Sequence, residues 1–246
     1  ILDIFSKNAR TTEAQLEVQL AQMQYLLPRL SRMWAHISEQ YGGIGTRGPG
    51  ETQLESDRRV VRHHIQILKE KLQQIDKQNK EQRKQRKKMP RFALVGYTNS
   101  GKSTLMNTIT DANVLVENKL FATLSTTVRQ FTLPNNKPAL LSDTIGFIRK
   151  LPHHLIASFR TTLAEANESD VLLQVSDITN QNFRVMINTV NETLEDIGIK
   201  DKPMIYVFNK IDKLDSLDLL HQLQSEYPQS VFISAERGIN VTTLLE

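Results

Sequence analysis

The stretch Gly96-Tyr97-Thr98-Asn99-Ser100-Gly101-Lys102-Ser103 decides the fold of this 246-residue chain, because it is a complete phosphate-binding loop. The apolar run Arg91–Val95 before it is typical of a buried parallel strand, and Ser103–Ile109 after it has helical spacing. Two glycines let the backbone turn tightly, so that N–H groups and the positive end of the helix dipole converge on phosphate oxygens. The sequence therefore predicts a nucleotide site.

Individual roles follow from the chemistry of this loop. We expect Lys102 to reach the β- and γ-phosphates as a catalytic group, and the Ser103 hydroxyl to bind magnesium. The residues predicted to contact nucleotide here are Gly96, Tyr97, Thr98, Asn99, Ser100, Gly101, Lys102, Ser103 and Thr104.

A second segment is suited to sensing the third phosphate. The apolar run Leu140–Ser142 ends in an acid, Asp143, and Thr144, Ile145 and Gly146 follow at once. Asp143 is predicted to hold magnesium through water, and the Gly146 N–H to meet the γ-phosphate in a catalytic role.

A third segment selects the base. The strand-like run Met204–Phe208 delivers Asn209, Lys210, Ile211 and Asp212 to the edge of the sheet where ligands of open α/β folds bind. A carboxylate such as Asp212 accepts two hydrogen bonds from guanine N1–H and N2–H₂, and adenine offers no such pair.

One more short motif is expected to complete the base pocket. Ser234, Ala235 and Glu236 follow the strand-like run Val231–Ile233, and their main-chain N–H groups are predicted to face the base. Each base motif alone is weak, but their order along alternating strands and helices strongly favours guanine nucleotides, GTP and GDP. ATP use stays a minor alternative through tolerance at Asp212.

These motifs predict an α/β fold, a P-loop GTPase domain with a mostly parallel sheet and helices on both faces, over residues 89–246. Its C-terminal end is expected to be incomplete. Residues 1–88 are predicted to be part of an N-terminal domain: an end strand at Ile1–Phe5, followed by an antiparallel coiled-coil hairpin. The chain has no cysteine, which excludes disulfides and thiol chemistry, and no apolar run approaches the roughly 18 residues that span a bilayer.

The hairpin is predicted from two seams of apolar residues at heptad spacing. The first seam is Leu16, Leu20, Met23, Leu27, Leu30, Trp34, Ile37 and Tyr41. The second is Leu54, Arg58, Val61, Ile65, Leu68, Leu72 and Ile75, with Arg58 its only polar member. Between the seams, Gly42–Gly50 holds five glycines in nine residues, together with Arg47, and forms the predicted tip. Such a tip lets backbone approach RNA closely, although a flexible connector is the alternative.

Charge is distributed unevenly along the chain. Residues 42–91 carry 14 basic and 6 acidic side chains, whereas residues 92–246 carry 13 and 17. A charge run is often only a solvated helix face. Beside a glycine-rich tip, the basic helix over residues 58–91 favours RNA contact.

The chain resembles the HflX family of ribosome-associated GTPases. The resemblance rests on Gly42–Glu55, on Gly96–Ser103, on Phe121–Leu124 and on Asp143–Leu155. It implies binding to the large ribosomal subunit and its rRNA through tip 42–50 and helix 58–91, with a role in ribosome splitting, recycling or rescue. It also implies a monomer in the bacterial cytoplasm or, second in preference, an organellar matrix. The alternative function is that of a nucleotide-gated RNA-binding or remodelling module in which hydrolysis is incidental.

The resemblance further implies a first switch that contacts nucleotide, with Thr123 as a catalytic residue and magnesium ligand. That switch comprises Phe121, Ala122, Thr123, Leu124 and Ser125. The family commonly continues with Asp-Pro-Thr-Thr-Arg, whereas this chain has Ser125–Arg129, so Thr126 or Thr127 could take the place of Thr123.

Two residues bear on the rate of hydrolysis. Phe147 follows Gly146 where Ras-like GTPases have the glutamine that orients water, so intrinsic hydrolysis is expected to be slow and dependent on a partner. Asn99 stands where the loop resembles that of potassium-stimulated GTPases, which predicts a potassium ion beside it.

Overall fold

The structure is a computed structural model that describes residues 2–9, 11–38, 49–85, 89–110, 126–147, 164–214 and 218–246. The chain divides into two compact units, with the first boundary between Arg83 and Lys84. None of the helices in these ranges is long and apolar enough to cross a membrane.

The first unit contains the helices α1 (Leu2–Asn8), α2 (Thr12–Ser38) and, as far as Arg83, α3 (Pro49–Gln85). The end strand predicted at Ile1–Phe5 is wrong, because α1 occupies those described residues. Leu2, Phe5 and Ala9 recur at helical spacing, and Phe5 is fully buried while Ile4 is exposed. One buried face at that spacing is the pattern of an amphipathic helix rather than of a strand.

Helices α2 and α3 form the predicted antiparallel hairpin. Leu20 packs against Leu68 and Leu72, and these three buried side chains are joined by Leu16, Met23 and Ile65. Asn79, late in α3, donates to the Glu13 carboxylate near the start of α2 over 3.3 Å. The helices therefore run in opposite directions, with members of both predicted seams in contact.

The hairpin connection differs from the prediction at the end that leads into α3. Pro49 and Gly50 were assigned to the tip, but they form the first residues of α3. Proline is well suited to a first helical position, where its missing N–H would have no intrahelical partner. The remainder of the predicted tip, residues 42–48, lies outside the described residues.

The second unit is built on a six-stranded sheet with the strand order β2-β3-β1-β4-β5-β6. All described neighbours pair in parallel except β2, which runs antiparallel to β3 at one edge. This confirms the predicted mostly parallel sheet. The strands are β1 (Arg91–Val95), β2 (Thr127–Thr132), β3 (Pro138–Asp143), β4 (Val171–Asp177), β5 (Met204–Asn209) and β6 (Val231–Phe232).

Helices cover both faces of this sheet. Successive β5 residues show it: Val207 packs in one buried cluster with Leu105 and Val241, whereas Phe208 packs in another with Phe183 and Leu223. Opposite faces for adjacent residues are what a strand imposes. The described helices are α4 (Lys102–Thr110), α5 (Ala164–Glu168), α6 (Phe183–Asp196), α7 (Asp218–Glu226) and α8 (Val241–Leu245).

Candidate nucleotide-binding site

The phosphate loop, Asp143 and Asn209 meet at the carboxyl ends of the central strands. β1 lies between β3 and β4, so the strand that follows β3 in the chain lies on the other side of β1 from β3. Ligands of open α/β sheets bind at such a switch point. The phosphate loop follows β1, Asp143 ends β3, Asp177 ends β4 and Asn209 ends β5.

The phosphate loop is held in a conformation that requires glycine at Gly101. Its φ is +96°, and a Cβ there would collide with the Asn209 side-chain nitrogen. Asn99 also lies in the left-handed region, with φ of 63°. The loop then runs directly into α4, whose first residue is Lys102. The N–H groups at the start of α4 are therefore next to the loop, as phosphate binding requires.

Lys102 is buried and turns back onto its own loop. Its Nζ donates to the main-chain oxygens of Gly96 and Tyr97 over 3.1 and 3.0 Å. Burial lowers the pKa of Lys102 to about 8, although Asp143 acts in the opposite direction. A buried cation that is held by two neutral oxygens is expected to prefer a phosphate anion.

The predicted magnesium ligands lie together. The Ser103 hydroxyl donates to Asp143 Oδ2 over 2.6 Å, and Asp143 is buried. Hydroxyl and carboxylate oxygens are the donors that magnesium takes beside phosphate oxygens and water. The residues present therefore fit the ion. The buried Thr144 hydroxyl donates to Leu94 O over 2.6 Å and fixes the segment after β3 against β1.

The segment after Asp143 is attached to the phosphate loop by its backbone. Phe147 N–H donates to Gly96 O over 3.0 Å, and Thr98 N–H donates to Phe147 O over 2.8 Å. A Cβ at Gly146 would meet Thr98 Cα at 2.8 Å, so only glycine fits there without a shift. Gly146 and Phe147 are thus positioned beside the phosphate-binding residues.

Asn209 joins three of the predicted motifs. Its Nδ2 donates to Ser100 O over 2.9 Å, and its Oδ1 accepts the N–H groups of Lys210 and Ala235 over 2.8 and 2.9 Å. The Ala235 N–H, which the sequence assigned to the base pocket, is therefore directed to Asn209 in this structure. The side chain of Asn209 is buried, and its bonds to Ser100 and Ala235 are buried with it.

Asp212 has the features expected of a base-selecting carboxylate. Its side chain is only 3% exposed, and its Oδ1 has no hydrogen-bond partner among the described residues. A hydrogen bond from the Ser234 side chain, helped by Arg237 and Lys213, holds the pKa of Asp212 below its usual value. The group is therefore an ionised acceptor. Arg237 Nε lies 3.6 Å from the other oxygen, Oδ2.

One residue at the site was not predicted. Asp177 lies opposite Asn209 in the pairing of β4 with β5, and its Oδ2 accepts a hydrogen bond from Lys210 Nζ over 2.6 Å. The sequence signal is an acid at the end of the apolar run Val171–Val175. That is the same pattern that marked Asp143.

Some predicted residues fall outside the part that the structure describes. These are the first switch, with Phe121, Ala122, Thr123, Leu124 and Ser125. Of the alternatives to Thr123, Thr127 is in β2 and pairs with Asp143 in the β2–β3 register.

Fold and site together define a P-loop GTPase domain. Residues 91–210 match the family described as 50S ribosome-binding GTPase, and residues 8–86 match the GTP-binding GTPase middle region. The chain belongs to the HflX family of GTPases.

Individual relatives agree with this assignment. The chain is 56% identical to GTPase HflX of Flavobacterium psychrophilum, over 92% of this chain and 56% of that protein. It is 43% identical to GTPase HflX of Escherichia coli, over 100% of this chain and 58% of that protein. The chain thus spans a little over half the length of these relatives.

A solved structure is similar over nearly the whole chain. It is a GTP-binding protein from the archaeon Sulfolobus solfataricus in complex with GDP, with 29% identity and a TM-score of 0.56. The match covers 99% of this chain and 67% of that one.

Proposed function

We propose that this chain binds GTP and GDP with magnesium and hydrolyses GTP. The observation that carries the proposal is the convergence at one edge of the sheet of Lys102, the Ser103–Asp143 pair and the Asp212 Oδ1, which is buried and has no partner in the described ranges. The first two suit phosphates and a divalent cation, and the last suits the N1–H and N2–H₂ edge of guanine. The GDP-bound archaeal relative supports the same ligand class.

Each of these residues has a separate proposed role in phosphoryl transfer. Lys102 would leave the loop oxygens for the β- and γ-phosphates, and Ser103 and Asp143 would hold a magnesium ion, Asp143 through water. When bound, the ion would neutralise negative charge on the phosphates. Gly146 N–H is proposed to meet the γ-phosphate. Thr123 remains the proposed second magnesium ligand, with Thr126 or Thr127 as alternatives.

Intrinsic hydrolysis is proposed to be slow. Phe147 is 3% exposed and is bonded through its backbone to the phosphate loop. Its side chain is a phenyl ring, which has no group that could hydrogen-bond an attacking water. An activating partner must then order the switches or supply a charge. A potassium ion near Asn99 is proposed as a further source of positive charge.

The proposed activator is the large ribosomal subunit, bound through its rRNA. The described part of α3 presents exposed cations at Arg59, Arg62, Lys69 and Lys71. Such cations suit a phosphate backbone, and their contribution to binding is salt-dependent. The family description as a 50S ribosome-binding GTPase supports the same partner. Tip 42–50 is the proposed end that reaches into the subunit.

The biological role proposed is splitting, recycling or rescue of ribosomes in the bacterial cytoplasm, by a monomer. An organellar matrix is the second location. The competing function is a nucleotide-gated RNA-binding or remodelling module with incidental hydrolysis, favoured by the net charge of residues 42–91, which carry 14 basic and 6 acidic side chains.

One experiment separates the two functions. GTP turnover is measured in potassium buffer with purified large subunits, with an equal mass of unrelated structured RNA, and with neither. Stimulation by subunits alone supports the ribosome-activated GTPase. Equal stimulation by both supports the RNA module, and absence of any GTP turnover contradicts the proposed enzyme.

A further inference from the structure

A chain of two hydrogen bonds links the ends of β4 and β5 to the phosphate loop. Lys210 Nζ donates to Asp177 Oδ2 over 2.6 Å and to the Asn99 main-chain oxygen over 3.0 Å. The side chains of Lys210 and Asp177 are only 21% and 19% exposed. A short ion pair with little exposure is stronger and less screened than a surface pair. It is therefore suited to fixing the position of the Lys210 ammonium.

Lys210 and Asn99, which this hydrogen bond joins, both adopt a left-handed backbone conformation that L-residues rarely use. Lys210 has φ of 69° and ψ of 34°, and Asn99 has φ of 63°. Left-handed conformations of non-glycine residues cost energy and persist where neighbouring contacts hold them. The Lys210 ammonium contacts the Asn99 carbonyl itself, so its position bears on the shape of the phosphate loop.

Asp177 is itself held in place. Its other oxygen, Oδ1, accepts the N–H and the hydroxyl of Thr179 over 3.0 and 2.6 Å. The carboxylate therefore has one oxygen committed to its own turn and the other directed at Lys210. A fixed acceptor is what distinguishes a positioning group from a mobile counter-ion.

We propose that Asp177 is a positioning residue for the guanine-nucleotide site, which holds the Lys210 ammonium against Asn99 O and so keeps the phosphate loop in its binding shape. Asp177 does not touch nucleotide in this scheme. It acts through Lys210, at the carboxyl edge where the base motif and the phosphate loop meet. The inference rests on the proposed nucleotide function and adds a residue to it.

The test is the dissociation rate of fluorescent mant-GDP from the whole chain. Asp177→Asn keeps one oxygen for the Thr179 turn but removes the carboxylate charge that Lys210 faces. Loss of one charge-assisted bond predicts dissociation faster by about fivefold to tenfold. The matched control is Asp201→Asn, an exposed aspartate before β5 with φ of 57°, where asparagine fits the backbone equally well. We expect no change in the control.

A double-mutant cycle with Lys210→Met tests the route of the effect. If Asp177 acts through Lys210, then Asp177→Asn adds less than about twofold in the Lys210→Met background. An undiminished effect there, or equal rates for Asp177→Asn and Asp201→Asn, overturns the proposal.

A second measurement keeps the inference separate from the proposed function. Amide hydrogen exchange of the peptide spanning residues 96–101 is compared in protein without added nucleotide. Faster exchange in Asp177→Asn than in the wild type and Asp201→Asn supports the positioning role, and equal exchange overturns it. Failure of the wild-type chain to bind mant-GDP would contradict the proposed function alone.

Discussion

Asn209 donates a hydrogen bond from its side-chain Nδ2 to the main-chain oxygen of Ser100 over 2.9 Å. These residues come from the base-recognition segment and the phosphate loop, which are more than 100 positions apart in sequence. The same side chain accepts the N–H of Ala235. Asn209 therefore fixes the phosphate loop relative to the segments predicted to bind the base.

Asn209→Ala is expected to weaken both folding and GDP binding. The substitution leaves buried partners at Ser100 and Ala235 without a hydrogen bond, which costs about 2–4 kcal/mol of unfolding free energy. Urea denaturation and mant-GDP titration measure the two losses. Asn188→Ala, on the exposed side of α6, is the control and should change neither. An unfolding free energy equal to that of the control would contradict the linking role of Asn209.

Gly101→Ala is expected to displace Asn209. Any L-residue there suffers the strain of φ at +96°, but its Cβ would also collide with the Asn209 amide. Gly198→Ala separates the two effects, because Gly198 has φ of +85° and nothing within 4 Å of its added Cβ. Both variants should lose about 1–2 kcal/mol of stability through backbone strain.

Only Gly101→Ala should also lose GDP affinity, by tenfold or more, on the order of 1.4 kcal/mol. Equilibrium titration with mant-GDP checks this. If Gly198→Ala weakens GDP binding to the same degree, the collision with Asn209 is not the cause.

Asp212→Asn is expected to change which base is bound. The variant replaces one acceptor oxygen by a donor, so guanine loses a partner and xanthine, with a carbonyl at position 2, gains one. We expect GDP affinity to fall by about 100-fold, since an unpaired polar group is left in the site. Competition of mant-GDP by GDP, XDP and ADP measures the preference. An unchanged order among the three nucleotides would exclude Asp212 from base selection.

The pKa of Lys102 predicts how GDP affinity depends on pH. The group titrates near pH 8 when buried against neutral oxygens, whereas a bound phosphate favours the charged form. Below pH 7 the ammonium is already charged, and binding is strongest. Above pH 8 the free protein must take up a proton in order to bind, so affinity should fall by about tenfold for each further pH unit.

The lowered pKa of Lys102 makes the stability of the nucleotide-free protein depend on pH in the opposite direction. Between pH 8 and the unfolded value of 10.5, the unfolded chain holds a proton at Lys102 that the folded chain has lost. This group therefore makes stability rise with pH in that window.

Titration of GDP between pH 6.5 and 9 checks the affinity. Lys102→Arg is the control, because its charge persists throughout and any titration of guanine affects both proteins. A parallel pH profile in the two would contradict the assignment to Lys102.

Potassium is expected to stimulate GTP turnover more than sodium. The prediction concerns the Asn99 side chain, and Asn99→Gly removes it while tolerating the left-handed φ of 63°. We expect the potassium advantage to disappear in Asn99→Gly, with GDP affinity within about threefold of the wild type. Equal turnover of the wild type in the two salts would contradict a cation at Asn99.

The phosphate loop, the segment at Asp143 and the base motif could be predicted from sequence because each is short and contiguous. Strand, turn and helix follow one another within about 20 residues, so local spacing determines where the side chains arrive. The heptad seams could be predicted equally well, since apolar residues recur three and four positions apart within each, and Leu20 of the first seam meets Leu68 and Leu72 of the second.

Two features of the structure, helix α1 and the position of Asp177, could not be predicted from sequence spacing. The apolar run Ile1–Phe5 is too short for periodicity to distinguish strand from helix, and the buried face of α1 becomes visible only with Ala9 included. Asp177 depends on the pairing of β4 with β5, which brings it opposite Asn209 from 32 positions away. Sequence spacing carries no information about that register.

The main-chain oxygen of Gly96 accepts hydrogen bonds from two donors, Lys102 Nζ and the N–H of Phe147. A carbonyl has two lone pairs, so each donor occupies one of them. If Lys102 turns to a phosphate, the Gly96 oxygen keeps the N–H of Phe147 as its partner and the Tyr97 oxygen keeps the N–H of Ser100. Lys102 can therefore exchange a loop oxygen for a phosphate oxygen at little energetic cost. Because the N–H of Phe147 stays bonded to Gly96 O throughout, the lysine can return to the same oxygen when the phosphate leaves.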